Sequence, residues 1–124
     1  MDIIQRGKIE LRLCALGNTI NSLNIEMSQY RQMQNQINRA IAELNAAKGQ
    51  IESANTALTS KSQGKSISDK SKEMKNEESS ISSIISSLNS ISAECSTKMS
   101  EIKANKQKAS DEIYALRNKL NSDI

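Results

Sequence analysis

The residues of this sequence that could perform chemistry are few, and their spacing keeps them apart. The chain contains no histidine, which removes the commonest general base and most zinc and iron sites. Two carboxylate pairs, Glu77–Glu78 and Asp111–Glu112, consist of neighbours that diverge by about 100° on a helix and do not converge on a substrate. The run Gly64–Ser66 resembles the end of a phosphate-binding loop, but Thr59 stands where the upstream glycine belongs. We therefore expect no catalytic residue, no cofactor and no metal ion, and we interpret the protein as a non-enzyme.

The composition predicts long helices rather than a thick globular core. The chain has 124 residues, enough for one domain, and only 36% of them are hydrophobic. Its only aromatic residues are Tyr30 and Tyr114, and it has no proline, the strongest helix breaker. The net charge is +3, from 17 basic and 14 acidic residues that are interspersed. A nucleic-acid-binding protein would cluster its bases and offer aromatic platforms, so we expect no nucleic-acid partner.

A seven-residue repeat of apolar residues is the strongest pattern in the sequence. It runs through two segments of eight positions each, here called the ladders, and predicts two helices that pack along a coiled-coil-like seam. The first ladder consists of Ile9, Leu16, Leu23, Tyr30, Ile37, Leu44, Ile51 and Leu58. The second ladder consists of Ile67, Met74, Ile81, Leu88, Cys95, Ile102, Ala109 and Leu116.

A polar segment, residues 59–66, separates the ladders and contains a glycine that can end a helix. We place the hairpin turn at Ser62-Gln63-Gly64, with a first helix over about 3–59 and a second over about 67–121. Folding the chain at its midpoint aligns the two ladders and pairs residues whose numbers sum to 125. The predicted fold is therefore all-α, a single domain over 1–124 that forms one long antiparallel two-helix hairpin.

This register makes a prediction about the two cysteines. Cys95 is level with Tyr30, whereas Cys14 is level with residue 111, so about 24 Å of helix rise separates the two thiols. A disulfide needs Cα atoms within about 7 Å, so we expect no bridge. We interpret Cys95 as a small buried side chain that accommodates the bulky ring of Tyr30.

A second row of seam positions is less regular on the first helix, where it meets Gln34, Lys48 and Asn55. The neighbouring row is apolar there. Because a straight helix drifts about 20° per heptad against a strict seven-residue repeat, we expect the buried stripe to move onto that neighbouring row. The neighbouring row consists of Met33, Ala40, Ala47 and Ala54.

Several apolar residues lie off the seam and are candidates for a partner interface. Ile84 and Ile91 widen the apolar face of the second helix beyond what one facing stripe can cover. Leu11 and Ile25 point away from the seam on the first helix, and Tyr114 is level with Leu11 on the second. We expect the hairpin to self-associate into a four-helix bundle or to dock on a helical protein partner through these residues.

The sequence contains neither a signal peptide nor a membrane span by its pattern. Charges interrupt any apolar run within Met1–Arg6, and no segment approaches the ~20 apolar residues that span a bilayer. We expect no stable membrane insertion. The chain is expected to be made in the cytoplasm and, if exported, to leave by a signal-peptide-independent route.

The helical hairpin, the glycine in its polar turn and the Ser/Asn/Lys-rich texture of Ile37–Lys48 resemble a known group of small secretion proteins. They resemble the WXG-type proteins of type VII secretion, and more specifically the small α-helical partners of LXG toxins. Where the family has Trp-x-Gly, this chain has Ser62-Gln63-Gly64. Where secretion substrates have Tyr-x-x-x-Asp/Glu after the second helix, this chain has Tyr114 followed four residues later by Asn118.

The resemblance implies a non-enzymatic targeting adaptor or chaperone that binds the helical N-terminal domain of a type VII-secreted toxin in Gram-positive bacteria. The residues by themselves leave other functions open. One is a self-associating coiled-coil scaffold without an obligate heteropartner. Another, an amphipathic lipid-associated protein, is less favoured because the apolar stripe is narrow and lacks tryptophan and phenylalanine.

Overall fold

The computed structural model describes residues 1–61 and 63–122, and that part of the chain consists of two long helices. Helix α1 spans Ile3–Lys61 and helix α2 spans Lys65–Asn121. No strand occurs among the described residues. The two helices pack against each other, which confirms the prediction of an all-α helical hairpin.

The connection between the helices is shorter than the predicted turn over 59–66. Helix α1 continues to Lys61, because the Thr59 hydroxyl donates a hydrogen bond of 2.9 Å to the Asn55 carbonyl and is satisfied within the helix. Helix α2 already begins at Lys65, directly after Gly64, whose φ of 134° favours glycine. Of the predicted turn residues, Gln63 and Gly64 lie in the connection, whereas Ser62 lies outside the described residues.

The chain divides into two compact units. The terminal unit combines Met1–Gln32 with Cys95–Ile124, and the turn unit consists of Met33–Glu94. Each unit contains a segment of α1 packed on a segment of α2. Each unit therefore has its own contacts between α1 and α2, and these contacts show how the two helices are paired.

The predicted register holds in both units. In the terminal unit the Arg12 guanidinium forms an ion pair with the Glu112 carboxylate, and these residue numbers sum to 124. In the turn unit the Gln34 side-chain amide donates a hydrogen bond of 3.1 Å to the Ser92 carbonyl, and these numbers sum to 126. The two contacts bracket the predicted sum of 125, so the helices are antiparallel and aligned as the ladders indicated.

The ladders form the seam along both helices. Every one of the sixteen ladder residues is buried or half-buried, and none is exposed. Cys95 is the most deeply buried of them, with 2% of its surface accessible. The prediction that Cys95 is a small buried side chain is confirmed, and neither it nor the exposed Cys14 forms a disulfide.

The buried stripe of α1 moves onto the neighbouring row only in part, because Ala40 and Ala47 are half-buried whereas the other two residues of that row are not. Met33 and Ala54 are exposed, whereas Asn55 is buried and Lys48 is half-buried. The seam keeps its seven-residue period because polar residues of α1 meet polar residues of α2. Gln34 bonds to Ser92 in this way, so a polar side chain can occupy a seam position without losing its hydrogen bond.

Candidate interaction surface

The ion pair between Arg12 and Glu112 shows which positions of α1 and α2 lie on the same side of the seam in the terminal unit. Arg12 follows the ladder residue Ile9 by three positions, and Glu112 follows Ala109 by the same interval. The two side chains form a bidentate pair, with Nε to Oε1 and Nη2 to Oε2 distances of 2.9 Å. Positions three residues after a ladder member therefore lie on the same side of the seam on both helices. We call this set of positions the flank.

The ion pair on the flank also changes the acidity of its carboxyl group. The hydrogen bond donated by Arg12 is the main reason that the pKa of Glu112 lies below its ordinary value, and the guanidinium charge adds to it. The same bond raises the pKa of Arg12. Both side chains are exposed to solvent, so the pair aligns the two helices more than it stabilises them.

The flank of the turn unit carries apolar side chains at the equivalent positions. Ala40 follows Ile37 by three residues, and Met33 precedes Ile37 by four, which places both on the same side of α1. Ile84 and Ile91 follow ladder residues of α2 by three positions. The exposed fractions are 44% for Met33, 50% for Ile84 and 42% for Ile91. We call Met33, Ala40, Ile84 and Ile91 the apolar flank.

The apolar flank lies in a part of the chain without charges on α2. No charged residue occurs between Ser79 and Ala93, although a quarter of the whole chain is charged. Four serines of this segment donate their hydroxyl groups to carbonyls four residues earlier in the helix. These serines are Ser80, Ser83, Ser87 and Ser90. A helix laid on this segment would therefore meet no charge on α2, and these four hydroxyl groups would keep their hydrogen bonds.

The predicted interface residues are distributed over both units. Ile84 and Ile91 are exposed on the same flank of the turn unit. Leu11, Ile25 and Tyr114 are also exposed, at 74%, 61% and 70%, and they belong to the terminal unit. Leu11 and Ile25 each follow a ladder residue of α1 by two positions, about 200° around the helix, and therefore lie on its outer side.

Tyr114 occupies the corresponding outer position of α2, two residues before the ladder residue Leu116. Leu11 and Tyr114 are level with each other but point outwards from different helices. Their role in a partner interface stays a prediction, with one of the two residues on each helix of the terminal unit. As isolated exposed apolar residues they are ordinary features of a protein surface.

Met33 and Ala40 belong to the apolar flank but were assigned to the seam from the sequence. The signal that identifies them is the interval of three residues after a ladder member, applied to both helices at once. This interval identifies the two residues only when it is known which side of the seam the positions three residues after a ladder member occupy. The Arg12–Glu112 contact supplies that information.

The seam of the turn unit contains a buried polar atom without a hydrogen bond. Asn55 is 9% exposed, and its Oδ1 atom has no hydrogen-bond partner. Ser71, also 9% exposed, is the residue of α2 level with Asn55 when the register of Gln34 and Ser92 is continued. A buried acceptor that lacks a partner costs free energy, so this position weakens the seam.

The clefts found within residues 1–61 and 63–122 are lined mainly by hydroxyl, amide, apolar and basic side chains. A cleft of about 340 Å³ in the turn unit is lined by hydroxyl, amide, aliphatic and ammonium side chains, without a carboxylate. Of the run Gly64–Ser66, which resembles the end of a phosphate-binding loop, Gly64 alone lines that cleft. Within residues 1–61 and 63–122, no three carboxylate or thiol side chains come together as metal ligands. Over the same residues, neither helix has an apolar stretch sufficient to cross a membrane.

Comparison of the chain with known protein families, with curated proteins and with solved structures finds no match.

Proposed function

We propose that this chain is a non-enzymatic helical adaptor that binds a helical domain of another protein through its apolar flank. The observation that carries the proposal is the exposure of Met33, Ile84 and Ile91 on one side of the turn unit. Contiguous exposed apolar side chains at heptad positions are typical of helix-to-helix docking. The absence of charge from Ser79 to Ala93 supports this, since charged residues are depleted at the centres of interfaces.

The class of partner follows from the resemblance of the sequence to the small helical partners of LXG toxins. We propose the helical N-terminal domain of a type VII-secreted toxin in a Gram-positive bacterium as the partner. Two helices of such a domain on the apolar flank would complete a four-helix bundle. Export of the adaptor, if it occurs, would then follow its partner by a route that needs no signal peptide.

Binding between purified proteins tests this function. The chain is mixed with the N-terminal helical domain of a toxin encoded beside it, and complex formation is followed by light scattering and isothermal titration calorimetry. The wild-type chain is expected to form a complex of defined stoichiometry. Ile84→Glu is expected to weaken binding at least tenfold, because it places a charge in an apolar contact.

A matched control separates loss of contact from loss of folding. Ser83→Glu adds the same charge one residue earlier, at an exposed position outside the flank, and is expected to bind like the wild type. Circular dichroism shows whether each variant stays helical. A stable oligomer of the chain that ignores the toxin domain would contradict the adaptor function and would favour the coiled-coil scaffold.

A further inference from the structure

The apolar flank combines a row of large side chains with a row of small ones. Ile84 is level with Ala40, because these residue numbers sum to 124 like those of the Arg12–Glu112 pair. Helix α2 therefore presents a ridge of isoleucines, and α1 presents a shallow groove at Ala40. A surface of this kind fits a partner that places a large side chain over Ala40 and a small one over Ile84.

We propose that, in the absence of its partner, two copies of this chain pair with each other through the apolar flank. The inference rests on the proposed function, because it concerns the same surface and adds self-association as its regulation. A twofold axis parallel to the helices places Ile84 of each copy over Ala40 of the other. The pairing is isologous, which means that both copies use the same surface. The contact between Ile84 and Ala40 is therefore made twice.

The opposite arrangement, with the helices of the two copies reversed, fits less well. It would place Ile84 of one copy near Ile91 of the other and would set α1 against α1. Two branched isoleucines would then meet along α2, whereas the parallel arrangement sets Ile91 against the flexible Met33 of the other copy. Parallel stacking is therefore the arrangement that fills the groove.

The charges of the turn unit allow two copies to approach each other. Between positions 33 and 94 there are seven basic and seven acidic residues, so the unit has no net charge to repel a second copy. Along α1 the only charge between positions 32 and 42 is Arg39, which follows Ile37 by two residues and lies on the outer side of the helix. The centre of the contact, around Ile84 and Ala40, thus carries no charge, and Glu43, three residues after Ala40, lies exposed at its edge.

The size of the surface predicts a weak, exchangeable pair. The charge-free segment of α2 has about fifteen residues and a length of roughly 22 Å, and two adjacent helices present a face about 20 Å wide. This gives on the order of 450 Å² per copy, compared with ~800 Å² per partner in a standard stable interface. Two copies should therefore separate on dilution, and a helical partner with a better match should displace one of them.

Sedimentation velocity of the purified full chain over a range of concentrations tests the inference. We expect the wild type to pass from monomer to dimer as its concentration rises. Ile84→Glu is expected to weaken dimerisation at least tenfold, whereas Ser83→Glu is expected to dimerise like the wild type. A second variant, Ala40→Ile combined with Ile84→Ala, exchanges the large and small positions and is expected to retain the dimer.

The outcomes separate the two proposals. A wild-type chain that stays monomeric at every concentration, or a dimer that Ile84→Glu leaves intact, would overturn the inference. A helical double variant that no longer associates would also contradict it. If the monomeric chain still binds a toxin domain and loses binding with Ile84→Glu, the proposed function stands and only the inference fails. If the dimer forms as expected but no toxin domain binds, the inference stands and the proposed function fails.

Discussion

The terminal unit and the turn unit use the same two helices but bury different kinds of side chain. Of the seven buried hydrophobic residues in the part of the chain that the structure describes, six lie in the terminal unit and one, Ile37, lies in the turn unit. The six are Ile9, Leu16, Met27, Cys95, Ile102 and Ala109. Both buried polar residues, Asn55 and Ser71, lie in the turn unit. The terminal unit therefore has the seam that stabilises the hairpin more strongly.

The flanks of the two units differ in the opposite way from their seams, because the more apolar flank belongs to the unit with the more polar seam. In the terminal unit the flank carries the charged pair Arg12–Glu112, which keeps that side of the seam hydrated. In the turn unit it carries exposed isoleucines that the hairpin itself does not cover. Segments that bind partners are commonly drawn from the less stable parts of a protein, and the turn unit combines a less apolar seam with exposed isoleucines.

The largest expected effect is on stability, and it tests the difference in seam packing. Leu16→Ala in the terminal unit is expected to lower the free energy of unfolding by about 3 kcal/mol, because the side chain is 4% exposed and its removal leaves a cavity. Leu44→Ala in the turn unit removes a half-buried side chain and is expected to cost about 1–2 kcal/mol.

Urea unfolding followed by circular dichroism measures both losses. Ile25→Ala serves as the control, because Ile25 lies exposed on the outer side of α1 and its removal should leave stability nearly unchanged. Equal losses for Leu16→Ala and Leu44→Ala would show that the two units are equally well packed and would remove the basis of the comparison.

The next effect is a gain in stability in the turn unit. Asn55→Leu replaces the buried side-chain amide, whose Oδ1 atom lacks a hydrogen bond, by an apolar group. The variant is expected to raise the free energy of unfolding by about 1–2 kcal/mol. Gln34→Leu is the control, because Gln34 donates hydrogen bonds to Ser92 and its removal should bring a smaller gain. Thermal unfolding of both variants measures the difference, and a less stable Asn55→Leu variant would show that the polar group is needed there.

The smallest effect concerns the ion pair of the terminal unit and its dependence on pH. The pKa of Glu112 lies below its ordinary value in the folded chain, so the pair stabilises the fold at neutral pH. That contribution is lost as the pH falls through the folded pKa, because the carboxyl group is then protonated in both states. Glu112→Gln should therefore be slightly less stable than the wild type at pH 7 and equally stable in acid.

Carbon NMR of the side-chain carboxyl group measures the cause directly. Arg12→Met is expected to return the pKa of Glu112 towards its ordinary value. Arg31→Met, which removes another arginine of the terminal unit, should leave that pKa where it was. An unchanged pKa in Arg12→Met would mean that the contact between the two helices is not formed in solution.

Much of the fold could be predicted from the residues, whereas the surface was predicted only in part. The ladders identified sixteen residues that are all buried or half-buried, since seven-residue spacing and burial on one face of a helix are two descriptions of one geometry. Ile84 and Ile91 were also predicted as interface residues, because they make the apolar face of α2 wider than one facing stripe can cover. Met33 was assigned to the seam on its apolar character, although Gln34 occupies the seam position beside it and bonds across to Ser92.

The sequence by itself determined that there are two helices, where they reverse, and which residues of each helix face the other. These properties follow from local periodicity and from the single polar break around Gly64, so they need no information from the other helix. Only the tertiary structure decided which side of the seam joins Ala40 to Ile84 and which polar residues stay buried. The physical reason is that an off-seam position acquires a neighbour only when two antiparallel helices are docked, and the side on which Arg12 meets Glu112 is set by that docking.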